Sequence, residues 1–487
     1  MKLLDPIVWS GKIFSDGWRS ANGGVYDVRE PATGEVIGTT ATADASDMAS
    51  ACASASEAQP GWAATSFAER AAVLRRAGLL WEKYSSEVDE WIIRESGSVR
   101  RKAAHETRTA AEECFEAAAL TSHPSGEVMP SAHPRLSFSN RVPVGVVGVI
   151  APFNFPLILG IRSVAPALAL GNAVVLKPDP RTAVCGGISI ARVFEEAGLP
   201  SGVLHVLPGG LEAGEALVDG PHVPVISFTG STAAGRRIGE RAGRLLKRVH
   251  LELGSNAALI VMEDSDLELA ASAGAWGSFQ HQGQICMSTG RHLVHERVAE
   301  EYVDRLTAKA KRLRVGNPAT DGTAALGPII DEKQRNKIQA IVESSIEAGA
   351  KLTVGGQFEG PYYPPTVLTG VLPSMAAYSQ EIFGPVAPIT TFGDLEEAVS
   401  LAKDTEYGMS LGILSRDVAA AIALADRLRV GMVHINDQTV NDEPAIPFGG
   451  IGASGTGARF GGAAANIEAF TDTRWTTIRG AIAPYPY

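Results

Sequence analysis

One cysteine of this 487-residue chain stands where a thiol could be both reachable and activated. Cys286 lies in the stretch 283–291, between a predicted helix at 267–282 and a strand-like apolar run at 292–294. An ordered backbone at such a junction can hold the thiol against positive dipole ends that favour the thiolate. No second thiol or metal ligand lies at a chelating distance, so no metal site is predicted. From this stretch alone, an ordinary buried cysteine is the alternative.

Three further short stretches place an amide and two carboxylates beside apolar segments. They are Ala-Pro-Phe-Asn-Phe-Pro at 151–156, Leu-Glu-Leu-Gly at 251–254 and Glu-Ile-Phe-Gly-Pro at 381–385. Together with Cys286, in this order and at these separations, they resemble the aldehyde dehydrogenase superfamily over nearly the whole chain. The resemblance implies an α/β fold with two doubly wound parallel-sheet domains and a small β arm for oligomerisation. It also implies oxidation of an aldehyde to an acid with a nicotinamide cofactor.

The resemblance implies a catalytic role for each polar residue of these stretches. Cys286 would be the nucleophile, forming a thiohemiacetal and then a thioester. The side-chain amide of Asn154 would donate to the oxyanion, together with the backbone N–H of Cys286. Glu252 ends an apolar strand, with Gly254 leaving room beside its carboxylate, and would act as general base toward water. Without the resemblance, the alternative for Asn154 is an ordinary turn residue. The alternative for Glu252 is a member of a buried ion pair.

A nicotinamide cofactor would be held by the stretch 228–235, which joins a buried strand to a helix. Its backbone N–H groups and the Ser231 hydroxyl could bind a pyrophosphate at the helix N-terminus. The stretch lacks the common Gly-x-Gly-x-x-Gly fingerprint, but it matches the variant of the resembled family. Lys177 should reach the adenosine ribose, and the resemblance also implies a catalytic role for it. Glu381 should bind the nicotinamide ribose. The expected cofactor-binding residues are Ile150, Ala151, Pro152, Phe153, Lys177, Gly210, Gly214, Thr229, Gly230, Ser231, Gly235, Leu253, Glu381 and Phe383.

Two longer stretches indicate the substrate. Residues 176–182 and 435–444 look most like those of bacterial benzaldehyde and vanillin dehydrogenases, so an aromatic aldehyde is expected. An aliphatic aldehyde or a semialdehyde is the alternative. Glu252 predicts a free acid as product, because family members that pass the acyl group to coenzyme A or phosphate generally lack this residue. The expected substrate contacts are apolar neighbours of the site and one arginine: Phe155, Arg162, Ile285, Met287 and Phe448.

Arg162 is the only charged residue between Arg141 and Lys177. Counting back by fours gives Ile158 and then Asn154, so one helical stripe would carry Arg162 toward the side of the oxyanion donor. Its guanidinium could meet a ring hydroxyl or carboxylate near the mouth of the aldehyde tunnel. The alternative is that Arg162 points to solvent or caps a neighbouring element.

Two positions depart from the family pattern. Ser255 stands where the family commonly has glycine. Pro180 stands where NAD-preferring members commonly have an acidic residue that accepts from the adenosine ribose. A proline neither accepts from a ribose hydroxyl nor repels a phosphate, so NAD is expected to serve and NADP to be accepted as well.

Two rival functions use the same residues differently. His281 lies five residues before Cys286, as a Cys–His hydrolase would require, although such an enzyme has no use for the turn at 230–235 or for Glu381. The other rival is a catalytically silent binding or structural protein on the same scaffold. The joint presence of Cys286, Glu252 and Asn154 argues against it.

The acidic balance of the chain argues against anionic partners. The 43 basic and 54 acidic residues give a net charge of −11, so neither a nucleic-acid groove nor an anionic membrane surface is expected. The uncharged segment 142–161 is interrupted by three prolines and is not expected to span a membrane. Four widely spaced cysteines and no signal-peptide pattern predict a cytoplasmic protein. The resemblance implies a homodimer or homotetramer acting on a small-molecule aldehyde.

The order of apolar runs and helices predicts the domain organisation. Strand-like runs alternate with helices in two series, which is typical of parallel sheets with crossover helices. The residues from 466 to 478 are expected to form a strand. The glycine-dense stretch 449–462 is either a flexible linker or a loop that approaches a ligand closely. The predicted domains are 1–121 with 143–254 for the cofactor, 255–454 for catalysis, and 122–142 with 465–487 as the arm.

Overall fold

The computed structural model of the chain describes residues 2–486, so the first residue of the predicted cofactor domain and the last residue of the predicted arm lie outside the described residues. Within this range, two seven-stranded sheets form the framework. The first sheet has five neighbouring parallel strands and an antiparallel edge. Its strands follow the spatial order Arg248–Glu252, Val225–Thr229, Val146–Ile150, Ala173–Lys177, Leu204–Val206, Ile13–Phe14 and Trp18–Arg19.

The strand order of the first sheet creates a natural binding edge. Val146–Ile150 and Ala173–Lys177 are almost wholly buried, because helices cover both faces of a parallel sheet. The chain leaves Val146–Ile150 toward one side of the sheet and later returns to pair Val225–Thr229 on the other side. Ligands of open α/β sheets bind outside the carboxyl ends of strands at such a switch point. Residues 150–154 and 229–231 lie at this point.

The second sheet begins directly after the first one ends. Its first strand, Ala257–Val261, follows Glu252 by a short connection, so the site residues around 252–256 lie where the two sheets meet. Six neighbouring strands are parallel and one edge pair is antiparallel. The spatial order is Lys351–Val354, Thr366–Thr369, Val386–Phe392, Thr289–His295, Ala257–Val261, Ser410–Leu414 and Met432–Ile435.

Helices cover the faces of both sheets, and several begin at side-chain caps that the sequence indicates. Asp44 and Ser66 each form a capping box with the acidic residue three positions later. The longer helices are Ala45–Ala64, Phe67–Lys83, Ser85–Ser96, Arg100–Leu120, Pro156–Ala169, Ser189–Glu196, Leu211–Asp219, Thr232–Arg244, Leu267–Phe279, Glu296–Arg312, Glu332–Glu347, Leu395–Lys403, Val418–Ala425 and Ala463–Phe470. Short helical turns are Pro6–Trp9, Pro180–Thr182, Val184–Ile188, Gln280–Gly283 and Ala376–Ser379.

A third, smaller sheet forms the predicted arm. Thr471–Ile478 pairs antiparallel with Leu136–Pro143, which in turn pairs with Gly126–Val128. The prediction of a strand from 466 is wrong for its first part, because 463–470 is helical. Ala469 and Phe470 are buried against the first domain on that helix. Two further small pairs join Val25–Arg29 with Val36–Ala41, and Tyr407–Gly408 with Ile451–Gly452.

Across residues 2–486, no helix combines the length and apolar character that crossing a membrane requires.

Candidate active site

The loop that carries Cys286 has an unusual backbone. The helix predicted to reach 282 ends at Phe279, because His281 and Gln282 adopt left-handed backbone angles with φ of 47° and 56°. Such angles cost free energy in residues other than glycine. The side chain of Gln282 holds the turn by donating to the carbonyls of Gly97 at 3.1 Å and Pro328 at 2.9 Å. The turn leaves Cys286 partly exposed just before the strand Thr289–His295.

Asn154 is held against this loop. It follows the end of the strand Val146–Ile150, and its Nδ2 donates to the backbone carbonyl of Gln284 at 2.9 Å. An amide nitrogen has two N–H bonds, so one donor remains for an oxygen bound near Cys286. The second N–H of Asn154 is thus available for the role of oxyanion donor that the sequence predicts.

A buried ion pair fixes the backbone around Asn154, and nothing in the sequence singled it out. Lys102 donates to the carbonyl oxygen of Asn154 at 2.7 Å and to the carboxylate of Glu106. The same carboxylate accepts from the backbone N–H groups of Leu157 at 3.1 Å and Ile158 at 3.4 Å. Lysine and glutamate four residues apart on a helix are common on protein surfaces. The burial that gives this pair its importance is visible only in the structure.

Glu252 is buried at the end of its strand. Its Oε2 accepts from the backbone N–H of Gly450 at 3.2 Å, while Oε1 has no hydrogen-bond partner among the described residues. Burial raises the pKa of Glu252 well above its ordinary value, although the bond from Gly450 and the charges of Arg459 and Arg162 oppose this. A carboxylate that holds its proton more tightly is a stronger base once ionised.

The glycine that lies beside the Glu252 carboxylate is Gly449, whereas the sequence predicts Gly254. A Cβ on Gly449 would lie 2.7 Å from Glu252 Oε1 and equally close to Nη1 of Arg459. A Cβ on Gly254 would instead lie 2.8 Å from the Oε2 atom of Glu381. The space beside Gly254 is therefore occupied by Glu381, and the space beside Gly449 is occupied by Glu252, the predicted general base. Of the two readings of the stretch 449–462, the structure favours the closely approaching loop, which folds back onto the strand end at Glu252.

Glu381 is anchored by the position that departs from the family pattern. The backbone N–H of Ser255 donates to its Oε1 at 2.8 Å. Ser255 supplies this bond through its backbone, which any residue could do. Its hydroxyl is buried without a hydrogen-bond partner in the described range. Burial raises the pKa of Glu381.

Two cavities meet at the cysteine. One has a volume of about 850 Å³ and the other about 590 Å³, and Cys286 and Asn154 line both of them. Glu252 lines neither of these cavities, because its carboxylate is turned toward Gly450. A molecule in each cavity would therefore have its reactive end at the thiol.

The smaller cavity has the lining that a nicotinamide cofactor needs. A further cavity of about 690 Å³ shares Ile150, Lys177 and Phe228 with it, so the two form one long cleft. The hydroxyl of Ser231 caps the helix Thr232–Arg244, whose N-terminus faces the cleft and suits a phosphate. The predicted residues that line this cleft are Ile150, Ala151, Pro152, Phe153, Lys177, Gly210, Gly214, Thr229, Gly230, Ser231, Leu253, Glu381 and Phe383.

Gly235 is the predicted cofactor residue that does not line the cleft. Its α-carbon faces the side chain of Leu253, which an added Cβ would overlap. The glycine lets the helix Thr232–Arg244 pack closely on the end of the neighbouring strand, which places Leu253 at the cleft wall.

Aromatic and charged side chains shape the cleft near the thiol. The rings of Phe153 and Phe383 meet edge to face with centroids 5.9 Å apart. The guanidinium of Arg181 lies 4.1 Å from the Phe153 ring centroid and pairs with Asp179 at 2.8 Å. Lys177 is buried at the cleft wall, and burial lowers its pKa.

The larger cavity contains every residue predicted to contact the aldehyde. Phe155, Arg162, Ile285, Met287 and Phe448 all line it. Ile285, Met287 and Phe448 belong to one apolar cluster, against which Phe155 packs. An apolar wall of this kind suits an aromatic ring.

Arg162 is buried, so the alternative that it points to solvent is wrong. It is 3% exposed, and its Nη2 donates to Asp442 while lying 3.8 Å from Glu113. Its guanidinium carbon lies 4.8 Å from the ring centroid of Phe448. Its Nε and Nη1 have no hydrogen-bond partner among the described residues. Burial raises the pKa of Glu113 to about 8, so that carboxyl group is largely protonated at neutral pH.

The thiol needs help to ionise. Burial raises the pKa of Cys286 to about 12, and the carboxylates of Glu381 and Glu252 add to the rise. His281 does not provide this help. Its ring packs on Phe155 at 5.5 Å, neither ring nitrogen has a hydrogen-bond partner in the described range, and burial lowers its pKa well below its ordinary value. The geometry therefore gives no support to a Cys–His hydrolase.

Comparison with known proteins supplies the family. Residues 18–476 match the Aldehyde dehydrogenase family. The chain is 64% identical to a vanillin dehydrogenase of Amycolatopsis sp., with 100% of each chain covered. It is 51% identical to a benzaldehyde dehydrogenase (NAD(+)) of Pseudomonas putida, with 99% of this chain and 98% of the relative covered.

Comparison of folds agrees with the sequences. The crystal structure of a salicylaldehyde dehydrogenase from Pseudomonas putida, complexed with salicylaldehyde, superposes with a TM-score of 0.94 at 33% identity. It covers 98% of this chain and 99% of that chain. The chain belongs to the aldehyde dehydrogenase family and is thus an oxidoreductase that acts on aldehydes. The predicted resemblance and the predicted fold class are confirmed.

Proposed function

We propose that the chain oxidises aromatic aldehydes to free carboxylic acids with NAD. The observation that carries the proposal is the meeting of two cavities at Cys286 and Asn154. One cavity has an apolar wall that suits an aromatic ring, and the other has the polar and aromatic lining that suits a nicotinamide cofactor. The names of the relatives at 64% and 51% identity, vanillin and benzaldehyde dehydrogenases, support the same substrate class.

The chain's own residues supply the first part of the reaction. The Cys286 thiolate adds to the carbonyl carbon, and the resulting oxyanion accepts from the free N–H of Asn154 and from the backbone N–H of Cys286. A nicotinamide cofactor held in the cleft between Phe153, Ser231 and Glu381 would supply the hydride acceptor for this carbon. Because burial raises the thiol pKa to about 12, a base must take the proton as the thiolate forms.

Glu252 completes the reaction as general base. Its carboxylate must turn from Gly450 toward Cys286 to activate the water that hydrolyses the thioester. Its raised pKa makes it a stronger base once it is ionised. As the pH falls through that pKa, Glu252 becomes protonated, so the hydrolysis step should slow.

The cofactor proposal extends to NADP as a second cofactor. Pro180 lines the adenosine end of the cleft beside Lys177 and carries no carboxylate that would repel a 2′-phosphate. Glu215 and Asp219 also line this end, but both pair with Arg241, at 3.3 Å and 2.5 Å. Arg244 pairs with Glu240, so Lys177 and Arg237 are the positive charges in this lining without a carboxylate at salt-bridge distance in the described range, and both are available to a phosphate.

A panel of benzaldehyde, vanillin and an aliphatic aldehyde, each assayed with NAD and with NADP, tests this function. The aromatic aldehydes should give the higher kcat/KM, and the product should be the free acid. Preference for the aliphatic aldehyde would contradict the aromatic assignment. Complete lack of activity with NADP would contradict the second cofactor.

We also propose the domain division 1–121 with 143–254, 255–454, and 122–142 with 465–487. The two large sheets support it, and the third sheet supports the arm over 126–143 and 471–478, whereas the helix Ala463–Phe470 packs on the first domain. The arm exposes Val128, Leu136 and Ile478 on one face and Trp475 on the other, and exposed apolar strand residues support a role in a homodimer or homotetramer. A cytoplasmic location stays a prediction.

A further inference from the structure

The aldehyde cavity has the opposite charge from the protein. The chain carries a net charge of −11. The lining of the larger cavity nevertheless contains seven lysine and arginine side chains and a single carboxylate, Asp442. The basic residues come from three helices that are far apart in sequence: Arg100, Arg101, Lys102, Arg108, Arg162, Lys309 and Arg312.

Several of these charges are compensated. The buried Lys102 pairs with Glu106, and the buried Arg162 pairs with Asp442. Nearer the surface, Lys309 pairs with Glu268 at 2.6 Å and Arg100 approaches Glu90 at 3.6 Å. These residues therefore contribute little to the net potential at the cavity.

Three arginines at the cavity have no such compensation. Arg101, Arg108 and Arg312 are exposed, and none has a carboxylate within salt-bridge distance in the part of the chain that the structure describes. Arg101 stacks over the ring of Trp276 at 4.8 Å, which fixes its position. We call these three arginines the cationic rim.

Positive charge at the cavity lowers the pKa of a neighbouring histidine. His105 lines the same cavity, and its pKa is lowered, first by burial and next by the charge of Arg108. Lys102 and Arg101 act in the same direction, and only Asp442 opposes them. A positive neighbour disfavours the protonated imidazole, so the effect of the rim extends into the cavity wall.

We propose that the cationic rim draws aromatic aldehydes with an anionic ring substituent into the cavity. The inference rests on the proposed function and names the substrate class within it. With the formyl group at Cys286 and the ring on the apolar wall of Ile285, Met287 and Phe448, a substituent opposite the formyl group points away from the thiol. A carboxylate there is anionic, and so is an ionised phenol, whose ionisation the electron-withdrawing formyl group promotes. A cleft with charge of one sign raises the local concentration and the association rate of oppositely charged ligands.

The test compares benzaldehyde with 4-carboxybenzaldehyde at saturating NAD over a range of salt concentrations. For 4-carboxybenzaldehyde, kcat/KM should fall roughly 3- to 10-fold between about 20 mM and 500 mM salt, because salt screens the rim. For benzaldehyde, kcat/KM should change less than about 2-fold, because a neutral ring does not sense the field. Equal salt dependence for the two aldehydes would overturn the inference.

Matched variants separate the rim from the overall charge. Arg108→Gln with Arg312→Gln should lower kcat/KM for 4-carboxybenzaldehyde at low salt and flatten its salt dependence, with benzaldehyde unchanged. Arg75→Gln with Arg416→Gln removes the same charge from exposed positions outside the cavity lining, and should leave both aldehydes unchanged. An equal loss in both double variants would show a general charge effect and overturn the inference.

The activity of the wild-type protein toward benzaldehyde distinguishes failure of the rim proposal from failure of the proposed function. If wild-type protein oxidises benzaldehyde but the charged aldehyde shows no advantage from the rim, only the rim is excluded. If wild-type protein does not oxidise benzaldehyde at all, the proposed function fails, and the rim fails with it. A change confined to kcat, equal for both aldehydes, would place the arginines in product release and would also overturn substrate guidance.

Discussion

The cofactor cleft and the aldehyde cavity meet at one cysteine but are built differently. The cleft is formed largely by short segments that follow strand ends, such as 150–154 and 229–231. The cavity wall comes from side chains of distant helices, including Arg100–Leu120 and Glu296–Arg312, and from the loop around 438–448. Backbone groups at the switch point of a parallel sheet can serve many related substrates. The side chains of the cavity wall can therefore change substrate preference without altering cofactor binding.

Removal of the residue that both regions share should have the largest effect. Cys286→Ala should reduce aldehyde oxidation by on the order of 10⁴-fold or more, because no covalent intermediate can form. Binding of NAD, followed by fluorescence titration, should remain nearly unchanged, since the thiol does not hold the cofactor. The control Cys52→Ala removes a buried thiol elsewhere and should retain turnover. Substantial activity of the Cys286 variant would exclude the thiol from the mechanism.

Removal of the oxyanion donor, Asn154, should have the next largest effect on activity. Asn154→Ala should lower kcat by about 10²- to 10³-fold, the usual effect of losing one such donor. The rate at which iodoacetamide alkylates Cys286 reports whether the cysteine loop is intact, and it should change little. If alkylation slows as much as turnover, the main role of Asn154 would be to hold Gln284 and the loop.

The buried ion pair links the aldehyde cavity to the oxyanion donor. Lys102→Met should destabilise the protein by about 3–5 kcal/mol, because Glu106 would be left buried without its partner. The same change should lower kcat more than it weakens NAD binding, because the carbonyl of Asn154 loses its donor. Denaturant unfolding and steady-state kinetics measure the two effects.

The double variant Lys102→Met with Glu106→Gln is the matched control for this pair. It removes the uncompensated charge and should recover part of the lost stability without recovering kcat. Recovery of both together would assign Lys102 to stability alone.

Arg162 should have the smallest and most selective effect. Arg162→Leu should raise KM for 4-hydroxybenzaldehyde by roughly 10-fold, because the hydroxyl would lose a charged donor. KM for benzaldehyde should change far less. Equal changes for both aldehydes would leave Arg162 with only its structural contact to Asp442. Arg162→Lys, which keeps a charge for Asp442, controls for loss of folding.

The contrast between the two regions also explains what the sequence could predict. The cofactor cleft follows contiguous motifs at strand ends, so thirteen of the fourteen residues that the sequence predicts for the cofactor line it, and Gly235 does not. Gly235 belongs to the same motif, but its contact with Leu253 depends on how a helix packs on a strand. The alternation of strands and helices that the sequence predicts around these motifs is present in both large sheets. The sequence predicts a strand over 466–478, but residues 466–470 belong to the helix Ala463–Phe470 and only Thr471–Ile478 is a strand.

The missed features depend on long-range packing. Lys102 and Glu106 form an ordinary helical pair by spacing, and only their burial beside Asn154 gives them a role at the site. Arg459 lies in the glycine-dense stretch 449–462. The neighbouring sequence does not indicate that the folded chain brings Arg459 near Glu252. The sequence predicts that Gly254 leaves room for Glu252, but the carboxylate beside Gly254 is that of Glu381, which is distant in sequence and reaches the glycine only in the folded chain.

The most direct test of the account uses Glu252→Gln with NAD and benzaldehyde. If Cys286 forms the thioester and Glu252 activates the water, the variant should release one equivalent of NADH per site rapidly and then turn over slowly. Mass spectrometry of the intact variant and of its peptides during the slow phase should show a benzoyl group on Cys286. A variant that gives no burst and no acylated cysteine, or that turns over as fast as wild type, would contradict the assignment of these two residues.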